Sequence, residues 1–183
     1  LHNLTGLWIL QECQREWAAA GQLADSAALV SLAAAEPSLG ITIDPDDPVF
    51  TAPGAMIARV SQRVYRGGGP NVLRPGQTVR VILESLAARY ARGVATLAAV
   101  TGTSAAQLRL VGGGAHNALL CQLTADAVGV PVIAGPAEAS ALGSVVAQLE
   151  TLGVLDPRDR AAVVEASSAT RCYRPGMSVL GVR

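Results

Sequence analysis

The sequence contains no lysine, since all fourteen basic residues among its 183 are arginines. Within the chain, this absence excludes a P-loop lysine, a Schiff-base lysine and the strand lysine of protein kinases. Any phosphate bound here must be held by backbone amides, arginines or a metal ion. Aromatic residues make up only 3% of the chain, although 50% of it is hydrophobic. We therefore expect a core of aliphatic side chains and alanines in closely packed helices.

The sequence also lacks a charge excess and long apolar runs. Fourteen acidic residues balance the basic ones, and no basic cluster of the kind that binds nucleic acid is present. No apolar run approaches the roughly 20 residues that span a bilayer, and no leader-like segment opens the chain. Cys13, Cys121 and Cys172 form no CxxC pair, which is typical of reduced cytosolic thiols. We expect a cytoplasmic protein without membrane or nucleic-acid partners.

Apolar periodicity predicts an α/β chain that is rich in helix, in a single domain over residues 1–183. The clearest pattern starts at Thr78 and stops at Gly102, with apolar residues recurring every three or four positions. Helices are predicted over 4–20, 25–35, 56–65, 78–101, 117–128, 137–152 and 156–166, and strands over 107–111 and 130–134. Gly143 and Ser144 are expected to let one helix pack tightly near the helix that begins at 117.

The stretch ITIDPDDPVFTAPG (41–54) combines three prolines with three aspartates, a composition that favours turns. A calcium loop through Asp44, Asp46 and Asp47 would need the glycine and the distant glutamate of an EF-hand, and both are missing. We therefore predict an ordered turn here and assign no metal site.

Residues 108–120 read LRLVGGGAHNALL, which places Gly112, Gly113 and Gly114 between a predicted strand and a predicted helix. In that order of elements, free backbone amides can meet an anion or a nucleotide. Glycine also permits positive φ, so a tight turn packed beneath another element remains an alternative. A second triplet at 67–69 follows a helix instead of a strand and therefore carries less weight.

Two kinds of nucleotide site fit the second triplet. In a dinucleotide-binding turn, Gly112 and Gly114 would open the motif and Glu138 would bind ribose, but Asn117 occupies the third glycine position. The other is found in the FGGY carbohydrate kinases, an actin-like family that VGGGAHNALLCQLTADAVGVPVIAGPAEASALGSVVAQL (111–149) resembles. HNLTGLWILQE (2–12), the 45–56 stretch and ESLAARY (84–90) also resemble this family, and the blocks occur in its order.

The resemblance implies a helix-rich, actin-like and ribonuclease H-like C-terminal lobe with few strands. It implies ATP or ADP with Mg²⁺ as ligands and a ketose as the phosphate acceptor, with L-rhamnulose the best match. Gly112, Gly113, Gly114, Asn117 and Gln11 would then contact the nucleotide, and Asn3 would contact the sugar. If both lie on one helix, Asn3 and Gln11 are about 12 Å apart. From the residues alone, Asn117 and Asn3 equally fit helix caps, and Gln11 fits a solvated position.

By the same resemblance, the aspartate that removes the proton from the sugar precedes this chain, so no catalytic residue is assigned. We expect a C-terminal part of a kinase that lacks its N-terminal lobe, is inactive alone and self-associates through unpaired strand edges. A Rossmann-type dinucleotide binder and a non-enzymatic helical interaction module are the alternatives.

Overall fold

The computed structural model describes residues 4–22 and 25–176 and divides the chain into two compact units, 1–104 and 105–183. In its described residues, the first unit consists of helices and loops. Its helices are α1 Trp8–Ala19, α2 Ser26–Ala35, α3 Met56–Arg66 and α4 Pro75–Thr101, with a short 3-10 helix at Pro48–Phe50. Among the described residues, no helix is both long and apolar enough to cross a membrane.

Helices α2 and α4 form the most extensive contact of the first unit. Gly76 on α4 allows the close approach, because a Cβ atom there would lie 3.0 Å from the carbonyl oxygen of Leu32. Arg74, just before α4, pairs with Glu36 at the end of α2 at 2.7 Å. Pro75 at the first helical position explains why α4 begins earlier than the predicted Thr78, since proline favours that position.

Aliphatic side chains dominate the core of the first unit, as the composition predicts. Fully buried members include Leu29, Val60, Ile82 and Leu86. The aspartate-rich stretch forms the predicted ordered turn, where Asp47 accepts a hydrogen bond from the amide of Val49 at 2.9 Å.

Helix α1 begins at Trp8 and not at the predicted Leu4. The backbone amide and hydroxyl of Thr5 both donate to the Asp46 carboxylate, at 3.2 and 2.6 Å, which holds this segment outside the helix. Residues 4–6 are therefore not helical, and the predicted start of the helix at Leu4 is wrong. Asn3 itself lies outside the described residues.

Among its described residues, the second unit contains a three-stranded sheet, three α-helices and two 3-10 turns. In chain order, these elements are β1 Leu108–Leu110, a 3-10 turn Gly113–His116, α5 Ala118–Val128, β2 Val132–Ala134, α6 Ala139–Thr151, a 3-10 turn Pro157–Asp159, α7 Arg160–Ala166 and β3 Arg171–Tyr173. The strand order is β1-β2-β3, with β1 parallel and β3 antiparallel to β2.

One face of the sheet packs against α5. The buried cluster joins Cys121 and Ala125 of α5 to Val132 and Ala134 of β2, and Tyr173 packs against it from β3. The two predicted strands and the predicted helix between them are thus present in the structure. The strands pair in parallel, and α5 connects them. Strand β3 is not among the predicted strands, and it covers the edge of β2 that does not pair with β1.

The expected tight packing around Gly143 is wrong for the described residues. A Cβ atom built on Gly143 would meet no atom within 4 Å, and Gly143 and Ser144 are both exposed. Their small size therefore has no explanation in the contacts of the second unit.

Candidate functional site

The glycine triplet forms a turn at the carboxyl end of β1. Gly112 has φ 77° and ψ −163°, a conformation that residues with a Cβ atom rarely adopt. Its amide donates to the carbonyl of Pro136 at 3.2 Å, and its own carbonyl accepts from Ala115 at 2.9 Å. Gly112 is therefore required by the backbone of the turn itself.

The other two glycines differ from each other. A Cβ atom on Gly114 would lie 3.1 Å from Cδ2 of Leu110, so packing favours glycine there. A Cβ atom on Gly113 would meet nothing within 4 Å, its φ is not positive, and the residue is exposed. Among the described residues, nothing requires position 113 to be glycine, and its backbone is open to a ligand.

The first triplet provides a comparison within the same chain. A Cβ atom on Gly69 would lie 2.6 Å from a methyl group of Val64 and 2.8 Å from one of Ile41, and Gly68 has φ 89°. Packing and backbone conformation explain these two glycines. The contrast makes Gly113 the unusual member of the two triplets.

Asn117 caps α5. Its side-chain oxygen accepts a hydrogen bond from the amide of Leu120 at 3.0 Å, and only 8% of the residue is exposed. The cap satisfies one of the free amides at the start of the helix and fixes the direction in which α5 leaves the turn. The structure thus shows the capping role that the sequence allows, and the proposed contact with a nucleotide stays a prediction.

A cavity of about 270 Å³ lies beside the turn. Small residues form most of its wall: Ala115, Ala134, Gly135, Ala137 and Ala169. The polar lining side chains are His116, Arg171 and Tyr173. Among the described residues, no carboxylate lines the cavity, so its side-chain charge is positive.

Sequence reasoning assigned no role to Arg171 or Tyr173, because their segment carries no recognisable motif. In the sheet, Arg171 lies beside Ala134 of β2, which in turn lies beside Leu110 of β1. The three strands therefore bring Arg171 to the edge at which the parallel strands end. His116 is exposed and also lines the cavity.

Gln11 belongs to the first unit and lies exposed on α1. The neighbouring side chains hold α1 in place: Trp8 Nε1 donates to the carbonyl of Phe50 at 2.9 Å, and the Glu16 carboxylate accepts from the amides of Met56 and Ile57. A carboxylate at the start of α3 is favourable because the helix dipole is positive there. These contacts fix α1 and leave the Gln11 side chain available for a ligand.

Metal-binding groups are also relevant to a site that would bind a nucleotide with Mg²⁺. The residues that the structure describes contain no group of three or more His, Cys, Asp or Glu side chains that could hold a metal ion. Mg²⁺ prefers carboxylate, water and phosphate oxygens. The turn and its cavity offer no carboxylate ligand, so no residue is assigned to a metal.

A glycine turn at the carboxyl edge of parallel strands, followed by a capped helix, is typical of nucleotide-binding α/β proteins. The model of the FGGY family of carbohydrate kinases, C-terminal domain, matches residues 1–151. The chain belongs to this family. The family match confirms the resemblance found in the sequence motifs. A Rossmann-type binder or a helical interaction module is therefore not required to explain the sequence.

Relatives of known name agree with the family. The chain is 39% identical over 176 residues to a rhamnulokinase of Klebsiella pneumoniae (strain 342), covering 96% of this chain and 35% of that protein. It is 35% identical over 176 residues to a rhamnulokinase of Bacteroides thetaiotaomicron, covering 96% of this chain and 36% of that protein. The chain thus spans about a third of the length of these relatives.

A solved structure shows the same fold. The xylulose kinase from Rhodospirillum rubrum superimposes with a TM-score of 0.61 at 23% identity, covering 96% of this chain and 34% of that chain. The fold is therefore the predicted helix-rich α/β, actin-like and ribonuclease H-like type with few strands.

Proposed function

We propose that this chain supplies the nucleotide-binding part of a kinase that transfers the γ-phosphate of ATP to a ketose. L-Rhamnulose is the proposed sugar, because the two relatives that share 39% and 35% of their aligned residues with the chain are rhamnulokinases. We also propose that residues 1–183 form one C-terminal kinase domain and that the protein is located in the cytoplasm.

The observation that carries the proposal is the open backbone at Gly113. Glycine costs conformational entropy on folding. At Gly113 neither φ nor packing requires it, and unlike Gly143, which lies within a helix, Gly113 lies in the turn between β1 and α5, where a nucleotide can meet the main chain. A nucleotide lying against the main chain would explain this glycine, because any Cβ atom at 113 would intrude on it. Gly112 and Gly114 then shape the turn that presents this stretch of backbone.

We propose ligand contacts for three other residues, each within its own unit. Asn117 directs α5 away from the turn through its cap and contacts the nucleotide with the rest of its carboxamide. Gln11 contacts ATP from the exposed side of α1. Asn3 contacts the sugar. The roles of Gln11 and Asn3 rest on the family resemblance of the HNLTGLWILQE block.

The chemical step needs groups that we do not assign to this chain. We propose that the base that deprotonates the sugar hydroxyl lies in the part of the enzyme that the chain lacks, so the chain alone is inactive. Mg²⁺ would neutralise charge on the phosphates in the intact enzyme. The residues of the chain contribute by binding and orienting ATP, which lowers the entropy cost of reaching the transition state.

Replacing Gly113 tests the proposal, because a Cβ atom at this position would meet no atom of the described chain within 4 Å. ADP binding would be measured by calorimetry on the full-length polypeptide for Gly113→Leu and for the control Gly143→Leu, whose added side chain also starts in open space. We expect Gly113→Leu to weaken ADP binding by about tenfold or more, equivalent to ~1.4 kcal/mol. Gly143→Leu should bind ADP as the wild type does. Equal ADP affinity in all three proteins, or no binding by the wild type, would overturn the proposal.

The choice of sugar has a separate test. Phosphate transfer to L-rhamnulose and to xylulose would be compared in the full-length enzyme by kcat/KM. We expect the ratio to favour L-rhamnulose. A ratio that favours xylulose would reject the proposed sugar and leave the nucleotide site unaffected.

A further inference from the structure

Strand β3 brings Arg171 to the same edge of the sheet as the glycine turn, although β3 lies beyond the residues 1–151 that the family model matches. Leu110, Ala134 and Arg171 form one row across the three strands. The turn begins two residues after Leu110, and its last residues share the wall of the 270 Å³ cavity with Arg171. The side chain and the turn therefore border one space.

Charge indicates what this space can bind. Arg171 is exposed and forms no ion pair with another residue among those that the structure describes. In the part of the chain that the structure describes, no acidic side chain lines the cavity. The chain has no lysine, so a permanently charged side-chain cation that meets a phosphate here has to be an arginine, and the guanidinium group suits phosphate oxygens.

Size limits how much of a nucleotide can enter. Pockets that enclose a whole small molecule usually measure about 300–1,000 Å³, and this cavity is somewhat smaller at about 270 Å³. Its alanine and glycine walls offer few hydrogen-bonding groups of their own. An anionic end of a ligand would therefore take its strongest contact from Arg171, while the rest of the ligand lies against the open turn.

We propose that Arg171 is a phosphate-binding residue that contacts the phosphates of the nucleotide held at the glycine turn. The proposal rests on the proposed nucleotide site and adds to it a residue from β3. Arg109 serves as a matched control, because it is an exposed arginine in the same sheet whose side chain alternates with Leu108 and Leu110 and so projects from the opposite face.

The test compares ADP with adenosine, which lacks phosphates. Calorimetry on the full-length polypeptide would measure both ligands for wild type, Arg171→Gln and Arg109→Gln. We expect Arg171→Gln to weaken ADP binding about tenfold and to leave adenosine binding within twofold, because a charged hydrogen bond to phosphate is lost. Arg109→Gln should change neither affinity, which excludes a general effect of net charge.

Each other outcome counts against the proposal. Unchanged ADP affinity in Arg171→Gln, with normal wild-type binding, overturns the role of Arg171 and leaves the nucleotide site standing. An equal loss of ADP and adenosine affinity shows that Arg171 does not act on the phosphates. A wild type that binds no ADP removes both the nucleotide site and the role of Arg171.

Discussion

Gly135 and Ala169 approach so closely that a Cβ atom on Gly135 would lie 2.8 Å from the carbonyl oxygen of Ala169. Gly135 also has φ 109° and directly follows β2. This contact brings the segment before β3 against the end of β2, beside the cavity that Arg171 borders.

We predict that Gly135→Ala destabilises the protein by about 2–4 kcal/mol, because the backbone is unfavourable for alanine and the obstructing atom is itself backbone. Gly143→Ala is the control and should be neutral or stabilising by up to about 1 kcal/mol, since position 143 is an open helical site. Urea unfolding monitored by circular dichroism measures both changes. Equal stability of the two variants would show that the contact with Ala169 is absent in solution.

The cap of α5 gives a second prediction. Asn117→Ala should lower the free energy of unfolding by about 1 kcal/mol, whereas Asn117→Ser keeps a capping oxygen and should cost only a few tenths. ADP titration of the serine variant then isolates the proposed contact between the carboxamide and the nucleotide. Weaker ADP binding with retained stability supports that contact, and wild-type affinity limits Asn117 to its cap.

The cysteines should differ sharply in reactivity. Burial, with the negative charges of Glu16 and Glu12, raises the pKa of the Cys13 thiol to about 12. Burial raises the pKa of the Cys121 thiol to about 11, whereas Cys172 is exposed. Because the thiolate is the reactive form, we expect one rapidly reacting thiol per chain in a thiol-disulfide reagent assay at pH 8.

Cys172→Ser should abolish the rapid phase of that reaction. Cys121→Ser should leave the rapid phase unchanged. A rapid phase that persists in Cys172→Ser would mean that a thiol described here as buried is accessible in solution.

Asp46 connects three parts of the first unit and should make its stability depend on pH. The hydrogen bond from the Thr5 hydroxyl, followed by that from Arg89, lowers the pKa of Asp46 below its usual 3.8. The folded state therefore binds this proton less readily than the unfolded chain does. The stabilisation is fully present above about pH 3.8 and is lost as pH falls through the lower folded pKa.

Asp46→Asn should accordingly be less stable than wild type at pH 7, with a difference that shrinks towards pH 2. Urea unfolding at a series of pH values measures this difference. A constant difference between wild type and Asp46→Asn across the series would contradict the account of Asp46.

Self-association of the isolated chain remains a prediction. In the described sheet, β1 pairs only with β2 and so leaves one edge open. On α4, Leu97 is 61% and Val100 80% exposed. We expect analytical ultracentrifugation of the 183-residue chain to show a mass that rises with concentration, and we expect glutamate at positions 97 and 100 to reduce it. A compact monomer at all concentrations would reject the prediction.

Local signals made much of the fold predictable. The apolar spacing of α4 extends over many turns, and Gly102 ends the helix with φ 69°, as glycine commonly does. Strand β3 could not be found in this way, because it is three residues long and its pairing with β2 depends on chain distant in sequence. The start of α1 was misplaced because the Asp46 carboxylate that holds Thr5 is also distant in sequence.

The candidate site was predictable only in part. The sequence placed Gly112, Gly113 and Gly114 between a strand and a helix, which the structure shows. It could not distinguish a glycine required by φ from one required by packing or by neither, because that depends on neighbouring atoms. Arg171 was missed for the same reason, since only the register of β3 brings it to the turn.

The most direct test of the central claim is a crystal structure of the full-length polypeptide with ADP. We expect the nucleotide to lie against the main chain at Gly113, at the distance of van der Waals contact. ADP bound at a different place, with Gly113 covered by other protein atoms, would contradict the account.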